Sequence, residues 1–312
     1  MSGGVWAKPG VSKARIGGSV NLYLGVDAGG TASKSRLTDA HGKVLGSGKA
    51  GPANTRIGLD ELHSTLLDVC TQAIDAAGLN EAEIKTLRCG MGIAGINRMG
   101  MKPQIQALSF PFANVQFTSD AMIANLGAHM GGDGAILILG TGSVGMVKRG
   151  EDSFSIGGYG FPISDEGSGA ALGLSAIRHA LRALDGRTRP SPLSQAITKQ
   201  FDHAIPRVIA WMDNATSGDY ASFAPLVMDY ADNGDEIALS IVRDAALHVE
   251  RFVETIISRG APRCVLMGGL AERMKPWLRV RIVAQLQDAM GDALDGALIL
   301  AGRPIGSGAS RQ

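Results

Sequence analysis

The sequence predicts an α/β protein in which one structural unit is used twice, the second copy enlarged by helices. Three observations carry this. An apolar run ending in a Gly/Thr loop occurs in each half: NLYLGVDA (21–28) before Gly29-Gly30-Thr31, and AILIL (135–139) before Gly140-Thr141-Gly142-Ser143. Each run is followed by two more strand-like segments joined by a turn, then by stretches with apolar residues at helical spacing. Each half later offers another apolar run ending in glycine, TLRCGMGIAGI (86–96) and CVLMGGLAE (264–272). A length of 312 residues suits two domains of ~100–200 residues each, and 45% apolar against 19% charged residues suffices for a core.

The elements follow in order. SKSRLTD and VLGSGKA read as strands around a tight turn at His41-Gly42. Between Asp60 and Ala77 the residues Leu62, Leu66, Val69, Ala73 and Ile74 recur on one helical face, and Gly78 stops the helix. A helix near 100–109 and a strand at 113–119 complete the first half. In the second, VGMVKRG and SFSIGG form a meander about Glu151-Asp152, a long helical stretch covers 167–259, and 273–290 and 292–301 look helical. This is an internal duplication on a long period. The expected divisions are a flexible extension at 1–19, an N-terminal domain at 20–119 and a C-terminal domain at 120–312.

Composition narrows the function. Glycine stands at 43 of 312, about twice the usual ~7%, with no Gly-X-Y period. A net charge of +1 gives no basic footprint for nucleic acid. No apolar run approaches the ~20 residues of a membrane span, and residues 1–19 lack the apolar core of a secretory signal. Cys70, Cys89 and Cys264 are scattered, which favours a reducing cytoplasm over a disulfide scaffold or cysteine-based zinc site, and the six His form no HxxxH pair.

The glycine loops carry the chemistry. In Asp27-Ala28-Gly29-Gly30-Thr31, two glycines let backbone N–H groups approach an anion, Thr31 adds a hydroxyl, and Asp27 stands where a carboxylate can hold magnesium directly or through water. A tight turn between strands would use the same glycines. Gly140-Thr-Gly142-Ser-Val-Gly145 matches the GxGxxG dinucleotide pattern literally, yet a strand-turn-strand pattern follows where that fold needs a helix. It reads better as a second phosphate loop. No GxxxxGK[ST] occurs, so a P-loop NTPase is excluded. Two such loops in a duplicated fold would face each other across an interdomain cleft.

GVDAGGT, GPAN (51–54), TSDA (118–121), LGTGS (139–143), GGYGFPISDEGSG (157–169), LMGGLAE (266–272) and DALDGALILAGRP (292–304) together resemble the BadF/BadG/BcrA/BcrD-type ATPases of the sugar kinase–actin–heat-shock ATPase superfamily. Within it the chain is most similar to bacterial glucosamine kinases and to N-acetylglucosamine kinases. The resemblance implies two ribonuclease-H-like (actin-like ATPase) domains around an interdomain cleft. It implies ATP phosphates held by Asp27, Gly29, Gly30, Thr31, Thr141, Gly142 and Ser143, with Gly268 and Gly269 at the adenosine and Mg2+ near Asp27. Asp120 matches the catalytic aspartate, a general base for the sugar's 6-hydroxyl; Ser119 or Asp120 could also cap the helix that follows, with Asp120 still free to face the cleft. Asn54, Asp120, Gly158, Tyr159, Asp165 and Glu166 match sugar-contacting positions; Tyr159 departs from the Trp of the animal N-acetylglucosamine kinases. The expected partners are an amino sugar and ATP, with no nucleic acid and no membrane, and a homodimer is expected. The alternatives are an ATPase activator of a radical dehydratase, which the scattered cysteines disfavour, and a non-enzymatic sugar or nucleotide sensor.

Overall fold

The computed structural model describes residues 21–305, so the expected extension at 1–19 lies outside the described residues. The described residues form two compact units, one of residues 21–132 and 289–305, the other of residues 133–288. In the first, β1 (Leu22–Ala28), β2 (Ser33–Asp39), β3 (Val44–Ala50), β4 (Arg88–Ile93) and β5 (Asn114–Thr118) form a sheet of order β3-β2-β1-β4-β5. The β1–β2–β3 meander is antiparallel, whereas β4 and β5 add in parallel. In the second, β6 (Gly134–Leu139), β7 (Ser143–Arg149), β8 (Asp152–Gly157), β9 (Cys264–Met267) and β10 (Leu286–Gln287) give the order β8-β7-β6-β9-β10. The two orders are the same path through a sheet. The duplication read from the glycine loops is a duplication of topology.

In the first unit the pleat sorts the residues. Leu24, Val26, Leu37, Cys89, Met91 and Ile93 point to one face, where the helix Leu59–Ala77 covers them with Leu62, Leu66, Val69 and Ile74. That helix ends at Gly78 in the left-handed conformation, as its sequence requires. The opposite face carries Gly25, Gly90 and Gly92, and there the helices Asp120–Ala128 and Ala293–Leu300 lie on the strands. A Cβ at Gly90 would stand 2.1 Å from the Ala297 carbonyl oxygen, and one at Gly92 would stand 2.3 Å from Ile123. The two helices also meet at glycines: a Cβ at Gly296 would be 1.7 Å from the Ile123 oxygen, and one at Gly127 would be 1.8 Å from that of Asp292.

This packing corrects the expected boundary at 119/120. Helix Asp120–Ala128 stays on the first sheet, and the chain returns to that unit at residue 289 to add the helix Ala293–Leu300. The helical stretch expected at 167–259 is six helices, Gly169–Leu184, Pro192–Lys199, Ile205–Met212, Ser217–Ala221, Ala224–Asp232 and Glu236–Ser258. The continuous helix expected at 273–290 is absent. Its place is taken by short turns at Ala271–Met274, Lys275–Trp277 and Val280–Val283, then β10. Pro276 interrupts the hydrogen-bond ladder there, and the Arg279 N–H donates instead to the buried Glu250 carboxylate at 2.7 Å.

Candidate active site

The expected site residues fall into two sets, one in each unit. In the first unit Asp27 stands near the end of β1, opposite Lys34 in the β1–β2 register. The loop that follows is closed by the Gly29 N–H donating to the Ala32 carbonyl at 3.2 Å and braced by the Ala53 N–H donating to the Gly29 carbonyl at 3.0 Å. Gly30 and Thr31 are exposed, and a Cβ at Gly30 would meet nothing within 4 Å, so the backbone there is open to a ligand. Asn54 forms a parallel bridge with Ala94 and accepts the Arg56 N–H at 2.9 Å. Its carboxamide oxygen therefore shapes its own turn, and its NH2 remains for recognition.

Asp120 is the first residue of the helix Asp120–Ala128. The cap is Ser119, whose hydroxyl accepts the Met122 N–H at 3.1 Å. That settles which of the two residues caps. The Asp120 carboxylate accepts the adjacent Ala121 N–H at 2.9 Å and forms no ion pair among the described residues. Burial raises its pKa, against the pull of backbone N–H groups. Asp27 is pushed up to about 6, first by burial, then by the negative charge of Asp120, with Asp292 adding and Lys34 opposing. Two carboxylates that feel each other in a half-buried site are an arrangement met where protons or cations are handled.

In the second unit the loop 140–143 joins β6 to β7. It is closed by the Gly140 N–H donating to the Gly142 carbonyl at 2.9 Å. The start of helix Gly169–Leu184 is tied to it, Gly169 N–H to the Gly140 carbonyl at 2.8 Å and Ala170 N–H to the Thr141 carbonyl at 3.1 Å. Ser143 is buried, and its hydroxyl donates to the Glu166 carbonyl at 2.8 Å. Asp165, in left-handed backbone at φ 70°, turns its carboxylate onto the same loop, so that a Cβ at Gly142 would lie 2.8 Å from Asp165 Oδ2. Burial raises the Asp165 pKa, while the N–H groups of Ser143 and Phe161 work to lower it. Glu166 is exposed and accepts from the Ser164 hydroxyl at 3.3 Å. Gly158 is also left-handed, and Tyr159 is 81% exposed, unusual for a ring with no core to fill.

Gly268 and Gly269 differ. At Gly268, φ is 100° and a Cβ would stand 2.3 Å from the Leu139 carbonyl oxygen, so the β6–β9 packing alone demands glycine. Gly269 has open space beside it and no such internal reason.

No group of three or more His, Cys, Asp or Glu suited to a metal exists among the described residues. Magnesium does not need one, because it is held by one or two carboxylates together with substrate phosphates and water. Asp27 is a carboxylate of that kind, and a Cβ at Gly30 in the first unit, or at Gly140 or Gly269 in the second, would meet nothing within 4 Å. Sequence reasoning passed over Lys34, Arg36 and Asp292. The signal for the cations was present: in SKSRLTD they alternate at period two, and counting outward from the loop pairs Lys34 with Asp27. The three cysteines are all buried, so none offers a surface thiolate to a cluster.

Known proteins resemble this chain over most of its length. The glucosamine kinase of Vibrio cholerae is 35% identical over 285 residues, covering 91% of this chain and 97% of its own. An N-acetylmuramic acid/N-acetylglucosamine kinase of Clostridium acetobutylicum is 28% identical over 76% of this chain and 80% of its own. A crystal structure from Chromobacterium violaceum, provisionally described as an N-acetylglucosamine kinase, is 30% identical with a TM-score of 0.83, covering 91% of this chain and all of its own. The BadF/BadG/BcrA/BcrD ATPase family model matches residues 24–300, and the chain belongs to that family.

Proposed function

We propose that this protein is an ATP-dependent amino-sugar kinase that phosphorylates glucosamine or N-acetylglucosamine on its 6-hydroxyl, with Asp120 as general base. The observation that carries the reading is Asp120 itself: half-buried, without a cation partner among the described residues, relieved of capping by Ser119 and raised in pKa. A base so tuned accepts a hydroxyl proton more readily than an exposed carboxylate. The kinases similar over most of the chain support the substrate class.

ATP with magnesium, when bound, supplies the phosphoryl group and neutralises its charge. The chain's own work is positioning. Gly30 and Thr31 on one loop and Thr141 and Gly142 on the other present backbone and hydroxyl donors to phosphate oxygens, while Gly29 and Ser143 hold the two loops in shape. Asp27 holds the magnesium ion and Gly269 admits the adenosine. Asn54, Gly158, Tyr159, Asp165 and Glu166 recognise the sugar, carboxylate and amide groups each satisfying several hydroxyls. Asp120 accepts the 6-hydroxyl proton as the sugar oxygen takes the γ-phosphoryl group, and ADP leaves with the electron pair of the broken phosphoanhydride bond. The buried free thiols suit the reducing cytoplasm, and no described helix is long and apolar enough to cross a membrane.

A coupled ADP-release assay over glucose, mannose, glucosamine, N-acetylglucosamine and N-acetylmuramic acid tests this, with phosphorus NMR locating the ester. Turnover confined to amino sugars with phosphate on O6 is expected. No turnover with any amino sugar would refute the reading.

A further inference from the structure

Beside the loop that carries Glu166 lies a cavity of about 180 Å³ that the proposed reaction leaves unused. Two of its walls are helix faces. Ala171, Ser175 and Arg178 recur at four- and three-residue steps on helix Gly169–Leu184, and Ile241, Asp244 and His248 do so on helix Glu236–Ser258. The loop residues 161–164, 166 and 167 supply the remaining wall. Gly167, at φ 75°, pins that loop to the second helix. A Cβ there would stand 2.9 Å from Val249 Cγ2 and 3.1 Å from the Ala245 carbonyl oxygen. Glu166, an expected sugar contact, is thereby held at the cavity.

The charges around this space are incompletely matched. Asp244 and His248 approach each other at 3.9 Å. The Glu166 carboxylate accepts the Ser164 hydroxyl at 3.3 Å and has no cation partner among the described residues. Arg178 forms no hydrogen bond or ion pair among them. A guanidinium and a carboxylate that line one cavity without pairing suit a group that accepts from one and donates to the other. At ~30 Å³ per water the space holds about six waters, which is room for a substituent and not for a second sugar.

We infer that this cavity takes the 2-acetamido group of the sugar, with Arg178 as a specificity residue, and makes the chain selective for N-acetylglucosamine over glucosamine. This rests on the amino-sugar kinase reading proposed above and on Glu166 facing the sugar. The acetamido N–H donates to Glu166, its carbonyl accepts from Arg178, and its methyl meets Leu174 and Ile241. The free ammonium of glucosamine suits Glu166 alone. It offers Arg178 no acceptor and sets a second cation beside it. A site built around a hydrogen-bonding group rejects the analogue that lacks it, because its own polar groups are then left unmatched.

The test is kcat/KM for N-acetylglucosamine and for glucosamine, by ADP release, on the full chain and its variants, with melting temperatures alongside. The native chain is expected to favour N-acetylglucosamine by about tenfold or more. Arg178→Leu is expected to lower that preference about tenfold, through the KM for N-acetylglucosamine, with the melting temperature within a few degrees of native. Arg178→Lys, which keeps a donor but not the planar fork, is expected to fall between. Ser175→Leu fills the cavity without removing a charge and is expected to lower the preference in the same way. A native preference for glucosamine, or one that either Leu variant leaves unchanged, overturns the inference while the amino-sugar kinase reading stands. An equal loss on both sugars also overturns it, since that marks a structural role. Turnover of neither sugar by the native chain overturns both.

Discussion

The burial of Asp27 and Asp120, which raises both carboxyls, opposes folding. The Asp27 carboxyl is pushed from 3.8 to about 6, so between those values the native state holds a proton that the unfolded chain has already released. Stability of the ligand-free protein therefore falls as pH rises from about 4 to 6, by roughly 3 kcal/mol at 1.36 kcal/mol per pKa unit. Asp27→Asn should raise the melting temperature at pH 7.5 and leave it nearly unchanged at pH 4, while abolishing magnesium-dependent nucleotide binding. Scanning calorimetry at the two pH values reads the first and titration with ADP the second. Turnover, read as a pH–rate profile, should decline below about pH 6 as Asp27 protonates. At this scale the carboxylates were legible because their motifs are local. Lys34, Arg36 and Asp292 were not, because their roles depend on strand register and on a helix more than 250 residues away.

Elements are held to the site by missing side chains. The glycine surplus first suggested phosphate loops and turns, and Gly42, Gly78 and Gly260 do take positive φ at such places. Much of the rest is packing: Gly25, Gly90, Gly92, Gly127 and Gly296 let two helices settle against the first sheet and each other, and Gly173 does the same against Tyr220. Nothing local marks these positions, since the atom each glycine avoids belongs to a distant segment. Gly296→Ala, whose Cβ would lie 1.7 Å from the Ile123 oxygen, should destabilise the first unit by more than the 1–3 kcal/mol usual for overpacking, with kcat falling in the folded fraction as Asp120 shifts. Urea denaturation and kinetics on one preparation check both. In the second unit, buried Asp235 caps Glu236–Ser258 through the N–H groups of Ile237 and Ala238 and also takes the Leu193 N–H at 2.9 Å. Asp235→Ala strands three donors and should cost about 2–4 kcal/mol by urea denaturation, beyond the ~1 kcal/mol of an ordinary cap.

At the scale of the molecule, the repeated succession of strand, glycine loop, strand, turn and strand could be read from sequence because β1, β4, β6 and β9 each run into glycine, whereas β10 lies in a stretch that patterns as helix. The unit boundary could not, since helix Ala293–Leu300 returns from the far end of the chain to the first sheet. It follows that residues 133–288 should fold alone, with dispersed amide NMR signals, whereas residues 21–132 should not until a segment covering 289–305 is added. The central claim is that this two-unit ATPase fold works as an amino-sugar kinase through Asp120. It is tested most directly by kcat and sugar affinity of Asp120→Asn, measured by ADP release and by titration with the best amino-sugar substrate. A fall in kcat of ~10²–10⁴, with sugar affinity within a few-fold of the native chain, is predicted; near-native turnover would contradict the account.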